Sequence, residues 1–229
     1  MQIKENIADI QARIAEAAKG CGRNPQEINL IGVSKRKPAA LVEEAIAAGH
    51  RDFGENYIQE AMEKIDTIGR DKACWHFIGH LQSNKAKFAV KIFDLIHTVD
   101  KIKLAREISK QAAKIDKIQD ILIQINIAQE ETKSGTRAAD VKALVKAASA
   151  LPNLQIKGLM CMPPFFDDPE LARPYFSQVK AISQDIAAMN LDKVRMDHLS
   201  MGMSNDFAVA VAEGATLVRV GTAIFGERQ

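Results

Sequence analysis

Short apolar runs alternate with longer amphipathic ones along almost the whole chain, and few folds accommodate that rhythm. The apolar runs cover 28–34, 51–54, 75–80, 95–99, 121–127, 156–162, 196–200 and 216–220, each of strand length. Between them lie "PAALVEEAIAAG", "YIQEAMEKIDTIG", "NKAKFAVKIF", "KIKLAREISKQAAKI", "RAADVKALVKAASA", "PELARPYFSQVKAISQDIAAM" and "SNDFAVAVAEG", whose apolar residues recur at helical spacing. Strands alternating with helices imply a parallel sheet covered on both faces. An open doubly wound sheet would hold the same pattern. Eight units of about 28 residues favour closure into a (β/α)8 barrel of the TIM type, which typically takes ~250 residues.

Local signals support the helices. Gly49, Gly69 and Gly214 follow the last periodic residue of three of them, where a helix commonly ends. Asp100 and Ser204 stand where an N-cap is expected. The opening segment "MQIKENIADIQARIAEAAKG" places Ile3, Ile7, Ile10 and Ile14 on one face, which predicts an extra N-terminal helix. Only "GTAIFGERQ" follows the eighth strand, too little for a full outer helix, so the extra helix is expected to cover that gap. No Pro-, Gly- or Ser-rich linker divides the chain, and a single domain over 1–229 is expected.

Composition removes several classes of function. A formal net charge of +2 on 229 residues is too small to argue for nucleic acid or an anionic membrane. Charges interrupt the opening segment, so it does not read as a signal peptide, and no run approaches the ~18 apolar residues of a membrane span. Three widely spaced cysteines, Cys21, Cys74 and Cys161, imply no disulfide framework and a cytoplasmic location.

In a (β/α)8 barrel the chemistry sits at the C-terminal ends of the strands. There the chain offers Lys35, the "ENY" of Glu55, Asn56 and Tyr57, His80 and Gln82, the "HLSMGMS" loop, and "VRVGTAIFG". Lys35 shares strand parity with Ile31 and Val33, so it faces the interior if Leu30 and Gly32 face the helices. An inward lysine near other cations loses proton affinity, and a neutral amine suits Schiff-base chemistry. A rim lysine that reaches into water is the bland alternative. Arg219 alternates with Leu217 and Gly221 and so faces inward as well, which demands an acceptor. Either a strand-end carboxylate, Glu55 or Asp197, meets it, or a ligand atom does. Gly221 and Thr222 after strand eight, with Ser200 and Ser204 after strand seven, match the usual place of a phosphate site. Cys74, His76 and His80 lie close in sequence, but strand histidines are more often structural, and no metal is expected. Cys161 reads as an inert core thiol.

The segments "VSKRKP", "FGENYIQE", "WHFIGHLQSNK", "GLMCM", "LSMGMSNDF" and "VRVGTAIFGER", in this order, closely resemble the pyridoxal 5′-phosphate (PLP) homeostasis protein family. These are single-domain relatives of the alanine racemase N-terminal barrel. The resemblance implies a PLP cofactor in Schiff-base linkage to Lys35, with Asn56 beside it and Arg219 at the pyridine nitrogen. It further implies phosphate contacts from Ser200, Ser204, Gly221 and Thr222, with Met201 contributing backbone. Many relatives carry proline where this chain has His80. An arginine at the ring nitrogen favours its unprotonated form, a poor electron sink. Together with the absence of a second, tyrosine-bearing domain, this favours holding PLP over turning over amino acids. The expected role is cytoplasmic PLP homeostasis by a monomer, buffering the cofactor or delivering it to PLP-dependent apoenzymes, without catalytic residues. A weak amino-acid racemase using Tyr57 or His80 as a second base, and a Schiff-base aldolase without PLP, are the other readings.

Overall fold

The computed structural model describes residues 2–130 and 133–227; Arg228 of the last quoted segment and both ends of the expected 1–229 domain lie outside the described residues. Helix α1 (Gln2–Gly20) leads into β1 (Asn29–Val33), α2 (Ala39–Ala47), β2 (Asp52–Glu55), α3 (Ile58–Ile68), β3 (Cys74–Phe77) and α4 (Ala86–Ile92). There follow β4 (Leu95–Val99), α5 (Ile102–Ala113), β5 (Gln119–Asn126), the two-residue β6 (Thr136–Arg137), α6 (Val141–Ser149), β7 (Leu154–Cys161) and α7 (Arg173–Ala187). The chain continues through β8 (Val194–Ser200), α8 (Phe207–Ala212), β9 (Leu217–Val220) and α9 (Thr222–Phe225).

Eight strands close in the order β1-β2-β3-β4-β5-β7-β8-β9, with β9 pairing back onto β1; every pairing is parallel, and β6 is appended to β5. The expected barrel is therefore present, and the open doubly wound sheet is not. Strand parity sorts the side chains. Ile31, Leu95, Leu122, Met160 and Leu217 form an apolar layer separate from the main core, whereas Leu30, Val218 and Val220 join the main core. Closure gives each strand one face toward the axis and one toward the helices, which is why two apolar clusters arise from one sheet.

The expected N-terminal helix buries Ile3, Ile7, Ile10 and Ile14. It packs against α8, α9 and α2 and so covers the seam beside the last strand. Asn6 Nδ2 donates to Ile224 O of α9 at 2.9 Å, which ties this cover to the short helix after β9. That helix of four residues is too short for sequence periodicity to announce it.

The two expected N-caps are corrected. Lys101 holds the cap position of α5 without a side-chain cap, because the Asp100 carboxylate instead accepts from Gly135 N at 3.3 Å. Asp206, not Ser204, precedes α8, and its Oδ1 accepts from Met203 N at 2.6 Å. In both places a tertiary partner or a neighbouring turn outcompetes the simple cap.

Candidate functional site

The C-terminal mouth of the barrel opens into a cavity of about 490 Å³. Lys35, Asn56, Ser204, Arg219, Gly221 and Thr222 all line it, brought together from the ends of β1, β2, β8 and β9. The described lining holds four cations, Lys35, Lys37, Lys133 and Arg219, and no Asp or Glu. Such a pocket favours an anion. Asn56 Oδ1 is buried there without a hydrogen-bond partner, an acceptor left open. Gly221 lets the wall close in: a Cβ there would come within 3.2 Å of Val33 O.

Lys35 stands in the turn after β1, and the turn is held from below. Arg36 has φ of +58°, a left-handed conformation that a non-glycine residue adopts only under local constraint. Its backbone N donates to Glu60 Oε1. Lys64 Nζ, buried, donates to Ser34 O at 2.6 Å, Glu55 Oε1 at 2.7 Å and Glu60 Oε1 at 2.6 Å. Ser34 Oγ donates to the same Glu55 oxygen at 2.6 Å. The backbone on both sides of Lys35 is thus fixed by one ion-paired cluster. Burial pushes the Glu55 carboxyl above its usual range in spite of Lys64.

Arg219 is buried and, among the described residues, has no carboxylate in ion-pair contact. Both expected carboxylates are engaged elsewhere, Glu55 with Lys64 and Asp197 with Lys157. Its Nη1 donates to Ser200 Oγ at 2.6 Å and its Nη2 to Cys161 O at 3.0 Å. The first contact opens a chain through the barrel axis. Ser200 Oγ meets His97 Nδ1 at 2.9 Å, His97 Nε2 meets His76 Nδ1 at 3.0 Å, and His76 Nε2 meets Asp52 Oδ1 at 3.1 Å. Arginine has no acceptor and an ionised carboxylate has no donor. With one proton on each ring, every hydrogen therefore points from Arg219 toward Asp52. Burial, with the nearby charges of His76 and Arg219, holds His97 well below its usual range. Burial is the largest single influence on Asp52 and opposes its ionisation, but the hydrogen bond and charge of His76, with His50 and Cys74, together outweigh it and lower its pKa.

Several residues sit away from the cavity. Ser200 and Met201 are fully buried and absent from its lining; Met201 N donates to Leu217 O at 3.1 Å. Tyr57 is exposed, with Arg36 over its ring at 5.7 Å and bonded to its hydroxyl at 3.3 Å. Tyr175 stacks on Phe166. His80 does line the cavity and lies 3.2 Å from Ser134 Oγ. His80 is thereby separated from Cys74 and His76, which approach Asp52 instead, so the three residues grouped in the sequence do not form one cluster. Cys161 is buried, with its thiol pushed up to about 12 by burial, as an inert core thiol requires. Gln124, Asn126 and Lys133 line the cavity without having been singled out in the sequence. The signal for the first two was the alternation in "LIQIN", where Gln124 and Asn126 share the inward parity of Leu122.

Comparison with known proteins sets this geometry in context. Residues 2–229 match the family model described as alanine racemase, N-terminal domain. The chain is 43% identical over 226 residues to the pyridoxal phosphate homeostasis protein of Pseudomonas aeruginosa, covering 99% of this chain and 96% of that one. It is 42% identical over 229 residues to the protein of the same description from Escherichia coli K12, covering 99% and 97%. The structure of PipY from Synechococcus elongatus with PLP bound superposes with a TM-score of 0.86 at 37% identity, covering 98% of this chain and 100% of that one. An alanine racemase from Clostridium difficile shares the fold at a TM-score of 0.77 and 13% identity, covering 99% of this chain and 56% of that one. The chain belongs to the alanine racemase N-terminal domain family and, within it, to the pyridoxal phosphate homeostasis proteins.

Proposed function

We propose that the protein binds PLP in the cationic cavity and serves intracellular PLP homeostasis, buffering or delivering the cofactor with little catalysis of its own. The observation that carries this reading is one cavity lined by three lysine amines, a buried guanidinium and four hydroxyl side chains, with no described acid among them. The residues fit the group. Lys35 would hold it covalently, Arg219 would face the pyridine nitrogen, and Ser204, Thr222 and the backbone at Gly221 would take the phosphate. Asn56 would lie beside the ring, its open Oδ1 available to a donor. Ser200 and Met201 would act from beneath, Ser200 by holding Arg219. The relatives support the cofactor assignment: the PipY structure carries PLP, and the similar bacterial proteins are named for PLP homeostasis.

PLP supplies an aldehyde that a neutral amine can hold and a ring that withdraws electrons best when its nitrogen is protonated. This chain's residues oppose the second property. Arg219 only donates, so a ring nitrogen facing it stays unprotonated. The Tyr57 hydroxyl lies outside the cavity with Arg36, so it is not placed as a base. His80 is the one imidazole in the described lining, and it favours the racemase reading to that extent.

Two measurements test the proposal on the purified protein. With PLP added, borohydride reduction and mass spectrometry should place the reduced adduct on Lys35, and Lys35→Ala should abolish it. An adduct on Lys37 or Lys85 instead overturns the assignment. Incubation with single enantiomers of amino acids in deuterated water should give no α-proton exchange at an enzymatic rate; rapid exchange suppressed by His80→Ala establishes the racemase.

A further inference from the structure

At the opposite mouth of the barrel, where β2 and β3 begin, Asp52, Cys74 and His76 bring one ligand atom each to within 4.8 Å of one another. Cys74 Sγ lies 3.4 Å from His76 Nε2, and Asp52 Oδ1 lies 3.1 Å from the same nitrogen. In a tetrahedral zinc site, with bonds of about 2.0 Å to N or O and about 2.3 Å to S, neighbouring ligand atoms are roughly 3.3–3.6 Å apart. Both measured edges match that figure to within a few tenths of an ångström, so an ion requires only small side-chain shifts. The imidazole is oriented as a ligand: its other nitrogen is held by His97 at 3.0 Å, the outer-shell contact that metal-bound histidines usually make. The Asp52 side chain is 33% exposed, leaving an entry path and room for a water as fourth ligand.

We infer that Asp52, Cys74 and His76 form a binding site for a borderline-soft divalent cation, zinc or a metal of similar preference, with one position open to water. A thiolate, an imidazole and a carboxylate together select such an ion over magnesium or calcium, which prefer all-oxygen sites. On binding, the Cys74 thiol proton leaves to solvent and the sulfur takes the metal. The His76 ring must then carry its proton on Nδ1, where it donates to His97 Nε2. That reverses the direction the metal-free chain requires. Occupancy at this mouth is thereby felt at Ser200, the hydroxyl that holds Arg219, on the far side of the barrel axis.

Cobalt(II) added to the full-length protein reports on the site directly. The expected result is one bound ion with a sulfur-to-cobalt charge-transfer band and the visible bands of tetrahedral cobalt. Cys74→Ser should remove the charge-transfer band, whereas Cys21→Ser, which changes an exposed thiol elsewhere, should leave it intact. If Cys74→Ser does not fold, Asp52→Asn decides the matter, with an expected loss of cobalt affinity of at least ~10-fold. Zinc should also move the His97 proton from Nε2 to Nδ1 in nitrogen-15 spectra. Absence of tetrahedral cobalt, a band that survives Cys74→Ser, unchanged affinity in Asp52→Asn, or an unmoved His97 proton each overturns the site.

Discussion

Three oxygens surround the Lys64 ammonium at the rim beneath Lys35: Ser34 O, Glu55 Oε1 and Glu60 Oε1. An ammonium taken out of water needs such partners, and removing one member of a buried pair leaves an uncompensated charge. Glu55 is the weak point of that arrangement, since its Oε2 is buried with no hydrogen-bond partner among the described residues. Lys64→Met is therefore expected to cost about 3–5 kcal/mol in urea denaturation. Glu55→Gln should cost less, because Ser34 and Glu60 still serve Lys64. The pH dependence has a definite sign. The folded carboxyl of Glu55 keeps its proton above its ordinary value of 4.5, so the native state binds more protons than the unfolded chain just above that pH. Stability contributed at this position falls as pH rises through that window. Glu55→Gln should flatten the slope relative to the wild type, and denaturation curves that stay parallel across the window would refute the assignment. None of this was legible in "VSKRKP": the sequence shows a lysine leaving a strand, but its support comes from Lys64, on the next helix but one.

At the scale of elements, the strands were the most legible part. The run 95–99 coincides with β4 residue for residue, because a parallel strand buried on both faces reads as a continuous apolar segment. β8 is less legible, since exposed Arg195 and Asp197 interrupt its pattern; it starts at Val194, two residues before the apolar run 196–200. β6 and α9, of two and four residues, are too short for any periodicity to announce them. Contacts between loops were equally silent. Gly79, after β3, packs so tightly against the loop after β2 that a Cβ would fall 2.2 Å from Asn56 O and 2.7 Å from Asn56 Cα. Both are backbone atoms and cannot turn aside. Gly79→Ala should therefore displace Asn56 from the cavity wall, lowering PLP affinity at least ~10-fold while costing about 1–3 kcal/mol of stability. Equilibrium dialysis and thermal unfolding measure the two effects. A variant that binds PLP as the wild type does would show that the Asn56 loop does not shape the site.

Across the whole molecule, the barrel interior divides into an apolar layer and a polar thread. Ile31, Leu95, Leu122, Met160 and Leu217 supply the first. Asp52, His76, His97, Ser200 and Arg219 supply the second, one residue from each of five strands. Parity alone placed Arg219 inside, and elementary electrostatics required an acceptor for it. Which acceptor could not be read, because the answer depends on five strands converging at heights that only closure of the barrel determines. The resolution is that, among the described residues, no carboxylate pairs with the guanidinium: Ser200 Oγ and Cys161 O accept from it, and the charge of Asp206 favours it without an ion pair. That arrangement keeps Arg219 a fixed donor facing the cavity. Ser200 is the link on which it depends. Ser200→Ala removes one of the two acceptors the guanidinium reaches and leaves His97 Nδ1 without its donor. A buried polar group stripped of its partner costs about 1–3 kcal/mol, more when it is charged. The variant should unfold at a lower temperature by that measure, bind PLP several-fold more weakly, and still form its borohydride-trapped adduct on Lys35, since the amine is untouched. Unchanged affinity in Ser200→Ala would mean that Cys161 O alone holds Arg219 in place, and the thread would then be a packing solution without consequence for the cofactor.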